Sequence, residues 1–144
     1  MRFMIIRRAD GETEAGVMPS AELIADMTAY NEELVKAGIM RAGDGLHPTS
    51  KGMKVKFRNG KPTITDGPFT EAKELIAGYT IIEVASREEA LEWIRRWPPA
   101  DGHGEVELEI RQIFSAEDFG DAFSKDVRDR HDAMRREIEA QLQQ

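Results

Sequence analysis

An α+β fold is predicted for this chain of 144 residues, in the order strand, helix, strand, hairpin, strand, helix, strand, with one further helix behind. Three observations predict it. Two segments repeat apolar residues at three- and four-residue spacing, and four others alternate or run apolar over strand lengths. Between them, Asn59-Gly60 separates two short β-forming runs as a tight turn. The length fits one core domain, expected over residues 1–114, with a helical extension over residues 115–144. Hydrophobic residues make up 40% and charged residues 33%, the composition of a folded chain with a solvated surface.

The first strand is expected over residues 2–9, with Phe3 and Ile5 on one face and Met4 and Ile6 on the other. Asp10, Gly11 and Glu12 break it as a polar loop. Over residues 19–37, Leu23, Ile24, Met27, Tyr30, Leu34 and Val35 form one apolar stripe, started by Pro19 or Ser20 and ended at Gly38. A short strand follows over residues 39–42, ending at Gly43, Asp44 and Gly45.

The hairpin comes next. A two-residue type I′ turn at Asn59-Gly60 pairs Val55 with Ile64 and Phe57 with Pro62, so register and hydrophobic pattern agree. Pro62 assigns its strand to an edge, or to a position that needs no amide donor. Residues 75–84 are apolar on both faces and read as a buried strand. Ser86 and Glu89 have capping-box spacing and open a helix carrying Ala90, Leu91, Ile94 and Trp97, stopped by Pro98 and Pro99. The last strand, over residues 105–112, alternates Val106, Leu108 and Ile110 with Glu105, Glu107, Glu109 and Arg111.

With the hairpin set aside as an insertion, the order is βαββαβ, the ferredoxin-like pattern, with both helices on one sheet face. If Val106, Leu108 and Ile110 face the helices, the three glutamates and Arg111 face the opposite side. There they would favour a cationic or hydroxyl-rich ligand, pair with Arg7 or Arg8, or decorate a solvated edge. Residues 124–144 form a helix whose seam of Val127, His131, Met134, Ile138 and Leu142 suits packing on its own domain, on a second subunit or on a protein partner.

A formal net charge of −7 argues against nucleic-acid binding, because phosphate recognition needs a basic face. The one local basic cluster, Lys51, Lys54, Lys56, Arg58 and Lys61, reads as outward lysines protecting a sheet edge. The absence of cysteine excludes disulfides and thiolate chemistry and suits a reducing compartment. Only four apolar residues in a row precede Arg7, too few for a signal-peptide core or a membrane span, so a cytoplasmic protein without membrane association is expected.

Three blocks carry a family resemblance: Ala42 through Pro48, with Asp44 and His47; Thr65 through Leu75, reading TDGPFTEAKEL; and Gly78 through Val84 followed by Glu89 through Trp93. They resemble the DGPF group of the YCII-related family over roughly the first 113 residues. That resemblance implies a ferredoxin-like unit of the dimeric α+β barrel type, in which two open sheet faces meet. A pocket then lies between sheet and helix or between subunits. Some relatives in the wider family are small-molecule enzymes, a dehydrochlorinase among them, that use a histidine–aspartate pair. Some DGPF members are associated with alternative sigma factors, which implies a regulatory setting. The family histidine lies on the first helix, and residues 19–37 contain none here, so that mechanism does not carry over.

The site is expected beside the Asp66 turn. Turn geometry alone accounts for Asp66, Gly67 and Pro68: aspartate bonding the backbone two residues on, glycine at positive φ, proline stiffening the exit. A ligand reading adds Phe69 as an apolar wall, with Asp44, Glu71 and Lys73 as ligand-binding groups. A catalytic reading gives Asp66 or His47 the proton transfer. His103 is expected in a turn and His131 on the helix seam. No spacing supports a zinc or iron site, and no cofactor is assigned. Two functions follow: a homodimer binding a small molecule in this pocket, with or without turnover, or a noncatalytic regulatory module whose tail helix docks a protein.

Overall fold

The computed structural model describes residues 1–70 and 74–144. The chain forms two compact units, Met1–Ile113 and Phe114–Gln144. In the first, strands β1 (Arg2–Arg8), β2 (Met40–Gly45), β5 (Ile76–Glu83) and β6 (Leu108–Gln112) form an antiparallel sheet in the order β2-β5-β1-β6. That order is the ferredoxin-like one, with the first and third core strands central. Strands β3 (Met53–Arg58) and β4 (Lys61–Asp66) form a separate two-stranded sheet.

Strand parity sets the core. Phe3 stands opposite Ile82, Ile5 opposite Thr80 and Ile110, and Arg7 opposite Gly78 and Leu108, so these residues share one face. Helices α2 (Ala21–Lys36) and α3 (Arg87–Ile94) cover that face: Tyr30, Leu34 and Ala90 join Phe3, Ile5, Ile39, Ile82 and Val84 in one buried cluster. Tyr30 donates its hydroxyl to the Trp93 carbonyl at 2.8 Å and meets the Trp97 ring edge-on. Burial pushes the Tyr30 phenol up to about 12.

Helix α2 begins where Ser20 accepts the Leu23 amide. Its apolar stripe is narrower than the six residues that periodicity suggests. Residues 23, 27, 30 and 34 share one face, whereas Ile24 and Val35 lie about 100° around and are exposed. At α3, Ser86 accepts the Glu89 amide, and Glu89 reaches back to the Ala85 amide rather than to that of Ser86. Asp10 does not simply break β1. It caps the one-turn helix α1 (Gly11–Glu14), exchanging hydrogen bonds with Thr13.

The hairpin register is Val55↔Ile64 and Phe57↔Pro62, and Asn59 and Gly60 both adopt positive φ as a type I′ turn requires. Arg58 and Lys61 are then the narrow hydrogen-bonded pair, so Pro62 directs its ring nitrogen to the free outer edge. Strand β2 runs three residues further than expected, through Gly45. β6 starts only at Leu108, because Asp101–Gly104 forms a tight turn with Gly102 and His103 at positive φ.

Arg7 does not pair with the strand glutamates. Its parity turns it to the helix face, where it grips Asp101 through two bonds of 3.2 and 2.7 Å, while Trp97 Nε1 donates to the same carboxylate at 2.9 Å. The second unit holds a 3₁₀ segment, Ala116–Ala122, and helix α4 (Lys125–Leu142), capped by Ser124. Phe119 stacks on Phe123 there, and the Phe123 ring meets His131 at a tilt. No helix among the described residues is long and apolar enough to cross a membrane.

Candidate functional site

The Asp66 turn is held by a clamp of three residues. The Glu14 carboxylate accepts the Thr49 amide at 3.1 Å and its hydroxyl at 2.7 Å, and the Thr49 oxygen accepts the Phe69 amide at 3.0 Å. Gly67 donates to the Gly52 carbonyl at 3.0 Å. The clamp thus fixes Phe69 against the loop that follows β2. Its chemical logic is charge-assisted: a carboxylate polarises the threonine that orients the turn.

Gly67 is not at positive φ, contrary to the turn-geometry expectation. Its necessity is steric, because a Cβ there would come to 1.7 Å from the Thr49 carbonyl oxygen. The Gly67–Pro68 bond is cis. Asp66 ends β4 opposite Met53, exposed, and its carboxylate makes no hydrogen bond among the described residues, so the expected bond to the backbone two residues on is not formed.

Beside this clamp lies an open groove of about 440 Å³. Leu46, Met53, Phe69, Leu75 and Ile76 supply apolar walls, and His47, Lys51, Lys54 and Glu74 supply polar ones. Lys54 Nζ sits 4.4 Å above the Phe69 ring, a cation–π contact that orders both side chains. The groove therefore combines flat apolar surface with two ammonium groups, an imidazole and the single Glu74 carboxylate, and the excess of cations favours a ligand with an apolar body and an acceptor-rich end.

Of the residues expected at the site, His47 and Phe69 line this groove together; Asp66 does not. Asp44 lies elsewhere, on the sheet face away from α2 and α3, where it accepts the Tyr79 hydroxyl at 3.2 Å. That bond holds the Tyr79 phenol above its ordinary range. Glu71 and Lys73 lie outside the described residues. Sequence reasoning missed Glu14 and Thr49, which lie in separate loops and become partners only in the fold. It also missed Lys51 and Lys54 as groove residues, because a lysine-rich hairpin reads first as edge protection.

The sheet face opposite the helices carries Met4, Ile6, Tyr79 and Ile81, all half-buried, with Glu109 beside Ile6 and Arg111 beside Met4. Glu109 and Arg111 approach each other at 3.7 Å. Glu105 and Glu107 precede the strand and are exposed, so the expected row of three glutamates and Arg111 does not form within β6. His103 contacts Glu12 at 3.0 Å in its exposed turn. No group of three or more His, Asp or Glu among the described residues converges to hold a metal ion.

Comparison with known proteins gives three findings. An uncharacterised protein of Rhizobium meliloti (strain 1021) is 33% identical over 73 residues, which cover 51% of this chain and 59% of that one, so the chain spans under two thirds of that relative's length. Among solved structures, the chain is similar to the 5-chloro-2-hydroxyhydroquinone dehydrochlorinase of Burkholderia phenoliruptrix AC1100 in complex with 2,5-dihydroxybenzoquinone. The identity is 17% and the TM-score 0.43, covering 79% of this chain and 94% of that one. The YCII-related domain matches residues 1–114, most of the chain and all of its sheet, and the protein therefore belongs to the YCII-related family.

Proposed function

We propose that the protein binds a small molecule with an apolar body and an anionic or acceptor-rich end in the groove between the loop after β2 and the Phe69 wall. The observation that carries this reading is the composition of that groove: Phe69, Leu75 and Met53 beside Lys51, Lys54 and His47, around about 440 Å³. That volume suits a ring-sized ligand. His47 supplies the proton acceptor for any chemistry on a bound hydroxyl or acidic C–H. Asp66 stands outside the groove, so no proton transfer is assigned to it.

Two copies of the chain are proposed to meet through the open sheet face, where Met4, Ile6, Tyr79 and Ile81 leave half-buried apolar surface and the Asp44–Tyr79 pair adds polarity. A second reading, docking of a protein partner by the tail helix in a regulatory setting, is favoured by one observation: Met134, Ile138 and Leu142 lie exposed along α4.

Calorimetric titration with benzoate, against benzyl alcohol as its neutral counterpart, tests the ligand reading. Benzoate should bind more tightly. Phe69→Ala and Lys51→Ala should each weaken it by roughly tenfold, about 1.4 kcal/mol, and Asp66→Asn should leave it unchanged. Equal affinity for both probes, or insensitivity to Phe69 and Lys51, would contradict it. Removing residues 124–144 should leave benzoate binding intact; loss of a protein partner on the same deletion would support the second reading.

A further inference from the structure

We propose that the cationic face of the β3–β4 hairpin extends the groove, and that the ligand's anionic end is a tail of linked phosphates laid along that face. This rests on the ligand reading above and names the class of ligand that the site takes.

Alternation builds the face. Lys54 stands opposite Thr65, Lys56 opposite Thr63 and Arg58 opposite Lys61, so four cations and two hydroxyls share one side of the hairpin. All six residues are exposed. The only acid of the two strands, Asp66, stands opposite Met53 and belongs to the other side. No ion pair to Lys51, Lys54, Lys56, Arg58 or Lys61 occurs among the described residues.

Edge protection does not account for this arrangement. Pro62 already withholds a donor from the outer edge of β4, which leaves Lys61 without that role. Arg58 and Lys61 are like charges directly opposite each other, a pairing that destabilises two strands. A phosphate between them relieves the repulsion and gains charge-assisted hydrogen bonds.

Lys54 joins the face to the groove. It lines the groove beside Lys51, and its Nζ sits 4.4 Å above the Phe69 ring. A ligand ring against Phe69 therefore carries its charged substituent to the start of the cation row. Lys56 and Arg58 follow at intervals of about 7 Å along the strand, a gap that linked phosphates and flexible lysine ends span together. Thr63 and Thr65 add hydroxyl donors beside them. A lone carboxylate stops at Lys51 and Lys54; a longer, multiply charged tail goes on to Lys56 and Arg58.

Charge also limits the size of the ligand. Five of the chain's 20 Lys and Arg lie between Lys51 and Lys61, and the rest of the chain carries 15 cations against 27 acids. A long polyanion meets that acidic excess, whereas a short tail responds to charges within about 8 Å at physiological salt. The face thus suits a phosphorylated small molecule rather than a nucleic-acid strand.

Titration calorimetry of the full chain with AMP, ADP and ATP, without divalent cations and with benzoate as the reference, tests this. Affinity should rise about fivefold with each added phosphate and fall as salt is added. Lys56→Gln and Arg58→Gln should each lower the ratio of ATP to benzoate affinity about threefold, and Phe69→Ala should weaken ATP itself. Lys36→Gln removes the same charge from α2 and should change nothing. Lys36, Lys56 and Arg58 are exposed, so circular dichroism of their variants should match the parent. Equal affinity for the three nucleotides, no binding of any, or a gain untouched by Lys56→Gln and Arg58→Gln overturns the proposal. So does tripolyphosphate that binds as tightly as ATP, because the ring then contributes nothing. A thymidine oligonucleotide that outcompetes ATP assigns the face to nucleic acid and overturns it equally. Benzoate binding that survives these outcomes leaves the groove reading standing alone; loss of benzoate binding as well removes both.

Discussion

Gly67 shows how a single residue couples the hairpin to the groove. With the Thr49 carbonyl oxygen where a Cβ would stand, Gly67→Ala must push the turn away from the loop and release the Phe69 amide from Thr49. A loss of about 1–3 kcal/mol in denaturant unfolding is expected, as for other overpacked sites, together with weaker benzoate binding. The neighbouring Asp66→Asn should change neither. The motif was legible here, but its reason was not. A glycine before proline suggests turn geometry, and only the fold reveals the approach of a carbonyl from a loop far away in sequence. Tyr30 makes a second residue-scale prediction. Its folded-state phenol titrates at about 12, above the ordinary value of 10, because burial disfavours the phenolate. Its contribution to stability is fully present below pH 10 and is lost as the pH rises through about 12. Denaturant midpoints at pH 9 and pH 11.5 should therefore diverge more for the parent than for Tyr30→Phe, once the common loss from lysine titration is subtracted.

Among the elements, ion pairs of similar distance differ in weight. Arg7 and Asp101 pair at 2.7 Å with side chains only 11% and 8% exposed, whereas Arg41 and Glu83 pair at 2.9 Å with both nearly half exposed. The first joins β1 to the turn after α3 and shares Asp101 with Trp97, so removing the carboxylate leaves the buried guanidinium with the Asp10 carboxylate at 3.3 Å and the Arg8 carbonyl at 2.8 Å. Asp101→Ala should cost about 3 kcal/mol in urea unfolding, the low end for a broken buried pair because Asp10 still faces the guanidinium, against under about 1 kcal/mol for Glu83→Ala. Similar costs for the two would contradict the distinction. Elements with strong periodicity or capping chemistry were legible: both core helices, the Ser86 cap and the hairpin register. A misplaced strand start and the direction of Arg7 account for much of the rest. A strand start placed at Glu105 rather than Leu108 gave the glutamates a shared row that the Asp101–Gly104 turn prevents. The direction of Arg7 follows from Phe3 and Ile5 and could have been read from them.

At the scale of the molecule, the βαββαβ order fixed the sheet order and the helix-covered face, because short antiparallel connections leave few alternatives. The groove was only half legible. His47 and Phe69 belong to family-like blocks, but Lys51, Lys54 and Leu75 reach it from a loop, a hairpin and a strand end, and no spacing in the sequence links those three. The same placement makes ligand capture the central claim. The measurement that tests it most directly is a ¹H–¹⁵N chemical-shift titration of the full chain with benzoate. Saturable shifts confined to residues 46–54, 69 and 74–76, and abolished in Phe69→Ala with the fold intact, are the predicted result. Shifts centred on Met4, Tyr79 and Ile81, or none at millimolar benzoate, would contradict it.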